Sequence, residues 1–426
     1  MRNARTVWTW LLAVLAVVCM GSLLAACGSG GSDSSSSASS TTTVDSSTVS
    51  SEGESTSGEP LKVGFFMVSS GSGANAQVPV GEEAALETIN ANGGINGRPL
   101  ELEVCQGDGS PEKDISCANQ FAENHVVAVI DGFDFALDGA LPVLKAAGIP
   151  IVGGFAQASQ ANSDKATFYL GPAQQAFGVG PFQVFKEEGL EKVSLVTQDI
   201  PASHAYIEGA VIPSAEALGI DFTPIYYPPN SPNFSTIAAT IISSNPDIGG
   251  TAALPDESQC TSMVKALREQ GYEKAIFAGF CTKFIAEIGA EAKGAQIYTT
   301  VWLPQMAKYA PADVKQELET ASTGIEGQSN ADAVGFYSYA TYSLVKTFAD
   351  VVGEIKGQVS SKTIRSAFEN LKDHPSALGA AMTCNRQAWP ETSACSDELM
   401  VAEVQEDGSL KPVGGGFVKV KVPPQS

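Results

Sequence analysis

The chain has 426 residues, 43% of them hydrophobic, which is enough to build two domains of ordinary size. Its 25 Lys and Arg face 47 Asp and Glu, for a net charge of −22. Such an acidic field argues against nucleic acid or an anionic lipid surface as the partner, although a local site can differ from the average.

The elements begin with Arg2 and Arg5, an apolar run from Val7 to Val18, and small residues leading to Leu24-Ala25-Ala26-Cys27. The run is short and its exit is made of small residues, so residues 1–26 read as a secretory signal peptide rather than a membrane span. The ending Leu-Ala-Ala-Cys resembles a bacterial lipobox. That resemblance implies cleavage before Cys27 and lipidation of its thiol, with the protein anchored on the extracytoplasmic face of the cell membrane. Acyl chains supply roughly 0.8 kcal/mol per buried CH₂ to such an anchor. From Gly28 to Glu59 the chain is nearly all Ser, Thr and Gly. It cannot bury enough surface to offset its ordering entropy, so residues 27–59 read as a disordered tether spanning roughly 30 Å. Loss of Arg2 and Arg5 with the signal takes the net charge from −22 to −24.

Alternation of short apolar strands and helices follows. Leu61–Met67 is a strand, 81–92 a helix, Gly93-Gly94-Ile95-Asn96-Gly97 a turn and 100–104 a strand. Ser110 is an N-cap with Pro111 at the first helical position. A strand at 126–130, a helix at 141–147 ended by Gly148, and a strand from Pro150 come next. The pattern then restarts, with strands at 193–197, 222–227, 248–254, 275–278 and 297–301. Helices at 206–218, 234–244 and 257–270 separate them, the last with Asp256 as N-cap. Two successive βα series predict two parallel sheets flanked by helices. Continuous apolar strands suit burial on both faces. Helices at 332–352 and 360–371 and an antiparallel ribbon over 399–420 then read as a chain returning to complete earlier domains.

Eight cysteines are present. Cys19 leaves with the signal and Cys27 is the lipid site. The remaining six form an even set in an oxidising compartment, and local pairing is the expectation: Cys105 with Cys117, Cys260 with Cys281, Cys384 with Cys395. No metal and no cofactor are expected, because no pair has C-x₂-C spacing and His125, His204 and His374 are scattered.

The stretch Ile89-Asn90-Ala91-Asn92-Gly93-Gly94-Ile95-Asn96-Gly97-Arg98-Pro99-Leu100 resembles the signature after the first helix of type I periplasmic binding proteins. More narrowly, it is similar to the leucine/isoleucine/valine-binding branch of ABC-transporter substrate-binding proteins. Pro142-Val143-Leu144, Ala147-Gly148-Ile149-Pro150, Asn233-Phe234 and Asn245-Pro246-Asp247 occur in the matching order, and the resemblance covers about residues 60 to 420. It implies an α/β fold of two Rossmann-like lobes with parallel sheets joined by a three-crossing hinge. On that plan lobe one holds residues 60–177 and 305–381, and lobe two 178–304 and 382–426. A ligand is then clamped by hinge closure.

Open parallel sheets bind ligands outside the carboxyl ends of their strands. That rule selects the loops at 69–77, 131–137, 153–157, 198–206, 254–257, 279–282 and 301–304. In amino-acid-binding relatives, hydroxyls and backbone amides of the second and third loops hold the ligand carboxylate, and an acid in the sixth holds the ammonium. Here Phe135 or Ala136 stands where a Ser is expected, Gln157 where a Thr is, and Cys281 where the acid is. An unpaired ammonium in a closed cleft costs several kcal/mol. A free α-amino acid therefore fits the usual pose poorly unless Asp134 or Asp256 substitutes. The loops are instead aromatic, and pockets are mostly apolar with a few placed polar groups. The ligand contacts expected are Ser72, Phe133, Asp134, Phe135, Phe155, Ala156, Gln157, His204, Tyr206, Phe280 and Trp302, around a small organic molecule with an apolar or aromatic body. Several of these aromatics have packing within a lobe as their alternative, Trp302 between lobes and His204 at the surface.

No G-x-S-x-G, H-E-x-x-H or P-loop motif is present, so no enzymatic activity is expected. Ser70-Gly71-Ser72-Gly73 offers backbone N–H groups ahead of a helix but lacks the lysine of a phosphate cradle. The expected partners are a small-molecule solute and an ABC permease, with the receptor a monomer. A sensor for a membrane signalling protein, a branched-chain amino acid binder, and a surface lipoprotein with an empty cleft are the alternatives.

Overall fold

The structure, a computed structural model of the chain, describes residues 58–421 apart from positions 72, 231, 254–256, 331–332 and 390. The signal segment, Cys27, the tether, Ser72 and Asp256 lie outside the described residues. Among the described residues no helix is long and apolar enough to cross a membrane.

Short apolar runs buried on both faces form the first sheet. Strands β1 (Leu61–Val68), β2 (Leu100–Gly107), β3 (Val129–Asp131), β4 (Ile151–Gly153) and β5 (Thr167–Tyr169) are all parallel, in the order β2-β1-β3-β4-β5. Helices α1 (Gln77–Ala91), α2 (Pro111–Glu123) and α3 (Leu141–Ala146) supply crossovers, as parallel pairing requires. The side chain of Ser110 caps α2 by accepting from the Lys113 N–H. Helix α1 starts four residues earlier than its apolar pattern suggests. Gly81 falls inside it, where a Cβ would collide with the carbonyl of Ser338.

The second sheet holds β6 (Lys192–Gln198), β7 (Asp221–Tyr227), β8 (Ile248–Ala253), β9 (Ala275–Phe277) and β10 (Ala295–Thr299), parallel in the order β10-β9-β8-β6-β7. Antiparallel β11 (Glu398–Val404) extends it beside β10, and β12 (Leu410–Pro412) and β13 (Val418–Lys419) both pair with β11. Around this sheet run α4 (Ala176–Glu187), α5 (Pro201–Tyr206), a π-helical turn at Ile207–Val211, α6 (Ile212–Leu218), α7 (Phe234–Ser243), α8 (Glu257–Glu269) and α9 (Lys283–Ile288). Gly219 ends α6 with φ 67°, the left-handed stop that favours glycine.

After β10 the chain returns to the first lobe. Helices α10 (Ala312–Glu326) and α11 (Phe336–Gly353) pack on α1, and α12 (Ser361–Glu369) brings Phe368 against Phe168 and Phe348. The fold is thus two α/β lobes with parallel sheets, and the chain passes between them after β5, after β10 and after α12.

Three features depart from the sequence reading. Strand β5 is three residues long, too short to leave a periodic signal. Helix α4 contains Gly178, Gly180 and Pro181, which argue against a helix, yet nine of its 12 residues are buried and tertiary packing overrides propensity. The loop between Cys384 and Cys395, expected with the second lobe, lies on the open edge of the first sheet. Tyr169 N donates to Ser393 O (2.9 Å), Cys395 N donates to Tyr169 O (2.7 Å), and Arg386 donates to Asp164 O (2.8 Å). Covering β5 in this way removes an exposed sheet edge. The bridges join Cys105 to Cys117, Cys260 to Cys281 and Cys384 to Cys395.

Candidate functional site

The loop after β3 is shaped from beneath by buried carboxylates. Asp131 is 1% exposed; its Oδ1 accepts from Asp134 N (2.8 Å) and its Oδ2 from the Tyr169 hydroxyl (2.9 Å). Asp134 Oδ1 accepts from Ala136 N (2.7 Å), and its carboxyl faces that of Asp114 on α2. Burial pushes Asp131 up to about 7 and, with the neighbouring carboxylates, Asp114 up to about 8; Asp134 is also raised by burial. Asp134, expected as a polar contact for ligand, is instead fully buried under the loop. Phe133 rides on top with φ 68°, a conformation few side chains adopt and one that clusters at functional sites. Phe135 is 40% exposed and lies over Gly73 of the loop after β1. Ala156 is buried in the smaller apolar core of the first lobe and presents no side chain to the cleft.

Two further predicted aromatics, Phe155 and Phe280, converge. Phe155, from the loop after β4, meets Phe133 (4.8 Å between ring centroids) and Phe177 of α4 (4.8 Å). Across the cleft, Phe280 from the loop after β9 lies parallel to Phe155 within 7°, at 5.9 Å. Phe280 also contacts Tyr298 (4.0 Å), Phe336 (4.4 Å) and Tyr337 (6.1 Å). Rings of both lobes thus share one cluster, in the offset and edge geometries aromatic pairs prefer.

Half-buried polar groups edge this cluster. Gln77, at the start of α1, accepts from Tyr337 N through Oε1 (2.9 Å) and directs its amide at Glu257 of the second lobe. Glu257 Oε2 accepts from Thr282 N (2.9 Å) and Lys283 N (3.1 Å). Burial raises the Glu257 carboxyl above its ordinary range, and the two amides, Lys283 and Gln77 pull it back in part. The Tyr337 hydroxyl is bonded to Gln157 and pushed up to about 12 by burial. Tyr206 precedes the π-helical turn, lies near Tyr298, and is raised by burial. Such turns frequently mark functional sites, because one extra residue re-aims a helix face. The Cys260–Cys281 bridge joins α8, which carries Glu257, to the loop that carries Phe280.

Two predicted contacts lie elsewhere. His204 bonds Asp199 (2.8 Å), approaches Glu208 (3.6 Å) and stacks on Tyr226 (4.0 Å between centroids); hydrogen bonding to the carboxylates, Asp199 first, raises it. Trp302 is 5% exposed at the second crossing, its ring edge-on to Phe417 and its backbone N–H donating to Leu378 O (2.7 Å). It packs the C-terminal ribbon against the hinge. A cavity of about 640 Å³, within the range of ligand pockets, adjoins the cluster. Thr282, Lys283 and Gly335 line it, and their other sides carry Glu257 and Gln77; Gln305, Tyr339 and the Glu406–Gly408 turn complete the walls.

The loop rule selected the segments holding Gln77 and Glu257 but not those side chains. Phe336, Tyr337 and Tyr298 were missed because they come from α11 and from within β10, where an apolar pattern reads as core. Gln77 and Glu257 each open a helix at the carboxyl end of a strand, and that position was the available signal.

A family model described as periplasmic binding protein matches residues 60–409. The Leu/Ile/Val-binding protein homolog 1 of Brucella abortus is 39% identical over 59 residues, 14% of this chain and 16% of that relative's length. A substrate-binding periplasmic protein from Ralstonia solanacearum superposes with TM-score 0.66 at 19% identity, covering 83% of this chain and all of that one. The branched-chain amino acid substrate-binding protein LivJ from Streptococcus pneumoniae, solved with isoleucine, gives 0.64 at 18% identity, covering 84% of this chain and 99% of that one. The chain belongs to the periplasmic binding protein family.

Proposed function

We propose that this periplasmic binding protein is a lipid-anchored receptor, monomeric and tethered through Cys27, that closes on a small organic solute and delivers it to an ABC permease. The solute has an apolar or aromatic body and is not a standard α-amino acid. One observation carries this reading: Phe155 and Phe280, from opposite lobes, face each other within one aromatic cluster edged by Gln77, Gln157, Tyr206, Glu257 and Tyr337. On the resemblance, Phe135 or Ala136 and Gln157 stand where relatives are expected to hold a ligand carboxylate, and Cys281, which is tied to Cys260, stands where the acid is expected. Hinge segments after β5, β10 and α12 give the lobes their axis of closure.

Thermal melting against a solute panel tests the reading. A ligand at about 100 times its Kd stabilises by roughly 2.7 kcal/mol, which is readily seen. Solutes with aromatic or apolar bodies are expected to raise the Tm. A shift with leucine or isoleucine and none with the others would return the cleft to amino-acid binding. No shift with any solute would favour a structural role. The anchor is tested separately: Cys27→Ser should release the protein from the membrane fraction with solute binding intact.

A further inference from the structure

We infer that the resting receptor is latched shut by a ring of its own second lobe, Phe280, seated on the rings of the first lobe, and that a solute gains the cleft by taking the place of that ring. The inference rests on the reading of the cleft as the solute site and adds how access to it is controlled. Phe280 touches the first-lobe rings directly: its centroid is 4.4 Å from that of Phe336, at 24°, and 5.9 Å from that of Phe155, at 7°. Those are the spacings of rings packed on one another, with no width left for a third between them. Phe336 and Phe155 are 1% and 4% exposed under this cover. Parting the lobes would return the faces turned to Phe280 to water, so burial of apolar surface favours closure before any solute arrives. The cavity of about 640 Å³ lies beside the cluster, and none of these three rings lines it.

The ring is built to move with its lobe. Gly279, at φ 60°, turns the chain into Phe280, and Cys281 after it is bridged to Cys260 on α8. Tyr298 of β10 backs the ring at 4.0 Å. The backbone carrying Phe280 is thus fixed to the second lobe, and the ring leaves its seat as that lobe swings. A polar contact accompanies it. Gln77 of the first lobe reaches Glu257 of α8, and Gly335 leaves room for the Gln77 amide, which a Cβ there would strike. A closure that the protein makes on itself lowers its apparent solute affinity by the fraction of molecules standing open. Solutes with an apolar group able to stand in for a benzyl side chain recover that loss, and others do not.

The test uses the full chain, unfolded and refolded with its bridges intact to strip carried-over solute. Spin labels are attached to azide-bearing residues introduced at Glu112 and Ser262, which are exposed on α2 and α8 of opposite lobes. Pulsed electron resonance without solute should find one dominant short separation. Phe280→Ala should lower the ratio of short to long separations about fivefold or more. Phe336→Leu, on the facing lobe, keeps that core filled and is read in parallel in case the first variant disturbs its loop; it should lower the ratio about threefold or more. If the wild type stands mainly open and shortens only when a member of the solute panel is added, the latch falls and the receptor reading stands. The latch also falls alone if the short separation persists unchanged in both variants while a solute raises the Tm. If no solute raises the Tm of the wild type or of Phe280→Ala, the receptor reading falls, and the inference that rests on it falls too.

Discussion

The two lobes pin their cleft loops by different chemistry. In the first lobe, the loop carrying Phe133 rests on buried carboxyls: Asp131, Asp134 and Asp114, with the Tyr169 hydroxyl. In the second, the loop carrying Phe280 is tied by the Cys260–Cys281 bridge and capped by the Glu257 carboxylate. One loop is held by groups whose protonation the solvent pH sets, the other chiefly by a covalent bond that only a reductant breaks. The halves of the cleft should therefore fail under different insults, although the aromatic cluster joins them when closed.

Acidity gives the largest separation. Asp131 is raised to about 7 and Asp114 to about 8 in the folded protein, both by burial first, from an ordinary value of 3.8. Where a folded carboxyl has the higher pKa, the native state holds more protons than the unfolded chain. The stability it contributes is present below about pH 4 and is lost as pH rises through the folded value. Each pKa unit of difference is worth about 1.4 kcal/mol. Unfolding free energy should thus fall by several kcal/mol between pH 5 and 8, seen in urea titrations at fixed ionic strength. Asp114→Asn should flatten that slope, because the remaining carboxyls lose a like-charged neighbour and keep a neutral partner. A slope as steep as the wild type in this variant would take Asp114 out of the cluster's titration.

Removal of the second-lobe bridge comes next. The entropy model assigns about 3 kcal/mol to a bridge closing a loop of this length. Cys260→Ser with Cys281→Ser should lower stability by about that much and also weaken solute binding, since Glu257 and Phe280 would lose their common tie. Cys105→Ser with Cys117→Ser should cost a similar amount of stability with affinity nearly unchanged, because that bridge joins β2 to α2 away from the ring cluster. Equal losses of affinity in both pairs would show that the staple acts on overall stability and not on the site.

This contrast was only half legible in the sequence. The pairing of cysteines near in the chain could be read from their spacing and an oxidising compartment. Lobes, strand alternation and loop positions followed from short apolar runs, since strands buried on both faces have few other ways to be written. The carboxyl cluster was hidden, because Asp114 and Asp131 each look like a solvated acid and Asp134 like a ligand contact until β3 and α2 pack together. Trp302 and His204 were drawn to the site by loop position, yet Trp302 packs on Phe417 and His204 turns to Asp199 and Tyr226. Glu257 was overlooked because the acid was sought in the next loop, where the resemblance put it. The first position of a helix reads as a cap until the facing lobe supplies Gln77.

The smallest expected effect is also the most local. Tyr169 is 1% exposed, and its hydroxyl donates to Asp131 Oδ2 at 2.9 Å. Its loss in Tyr169→Phe deprives a buried carboxyl of one of its donors, at a cost of about 1 kcal/mol for a neutral acceptor and up to about 3 for a charged one. The cost must therefore depend on whether Asp131 is ionised. Tyr169 also holds Asp131 down by hydrogen bonding, against burial, so the variant should move that carboxyl's pKa further up. At pH 5, where Asp131 is protonated in both proteins, the destabilisation should be near the lower figure. At pH 8 the wild-type carboxyl is largely charged and the penalty should grow toward the higher one. Denaturation of both proteins at the two pH values measures the difference of differences. A pH-independent penalty would mean that Tyr169 only fills space beside β5, and the first-lobe loop would then owe its shape to the backbone amides of Asp134 and Ala136 alone.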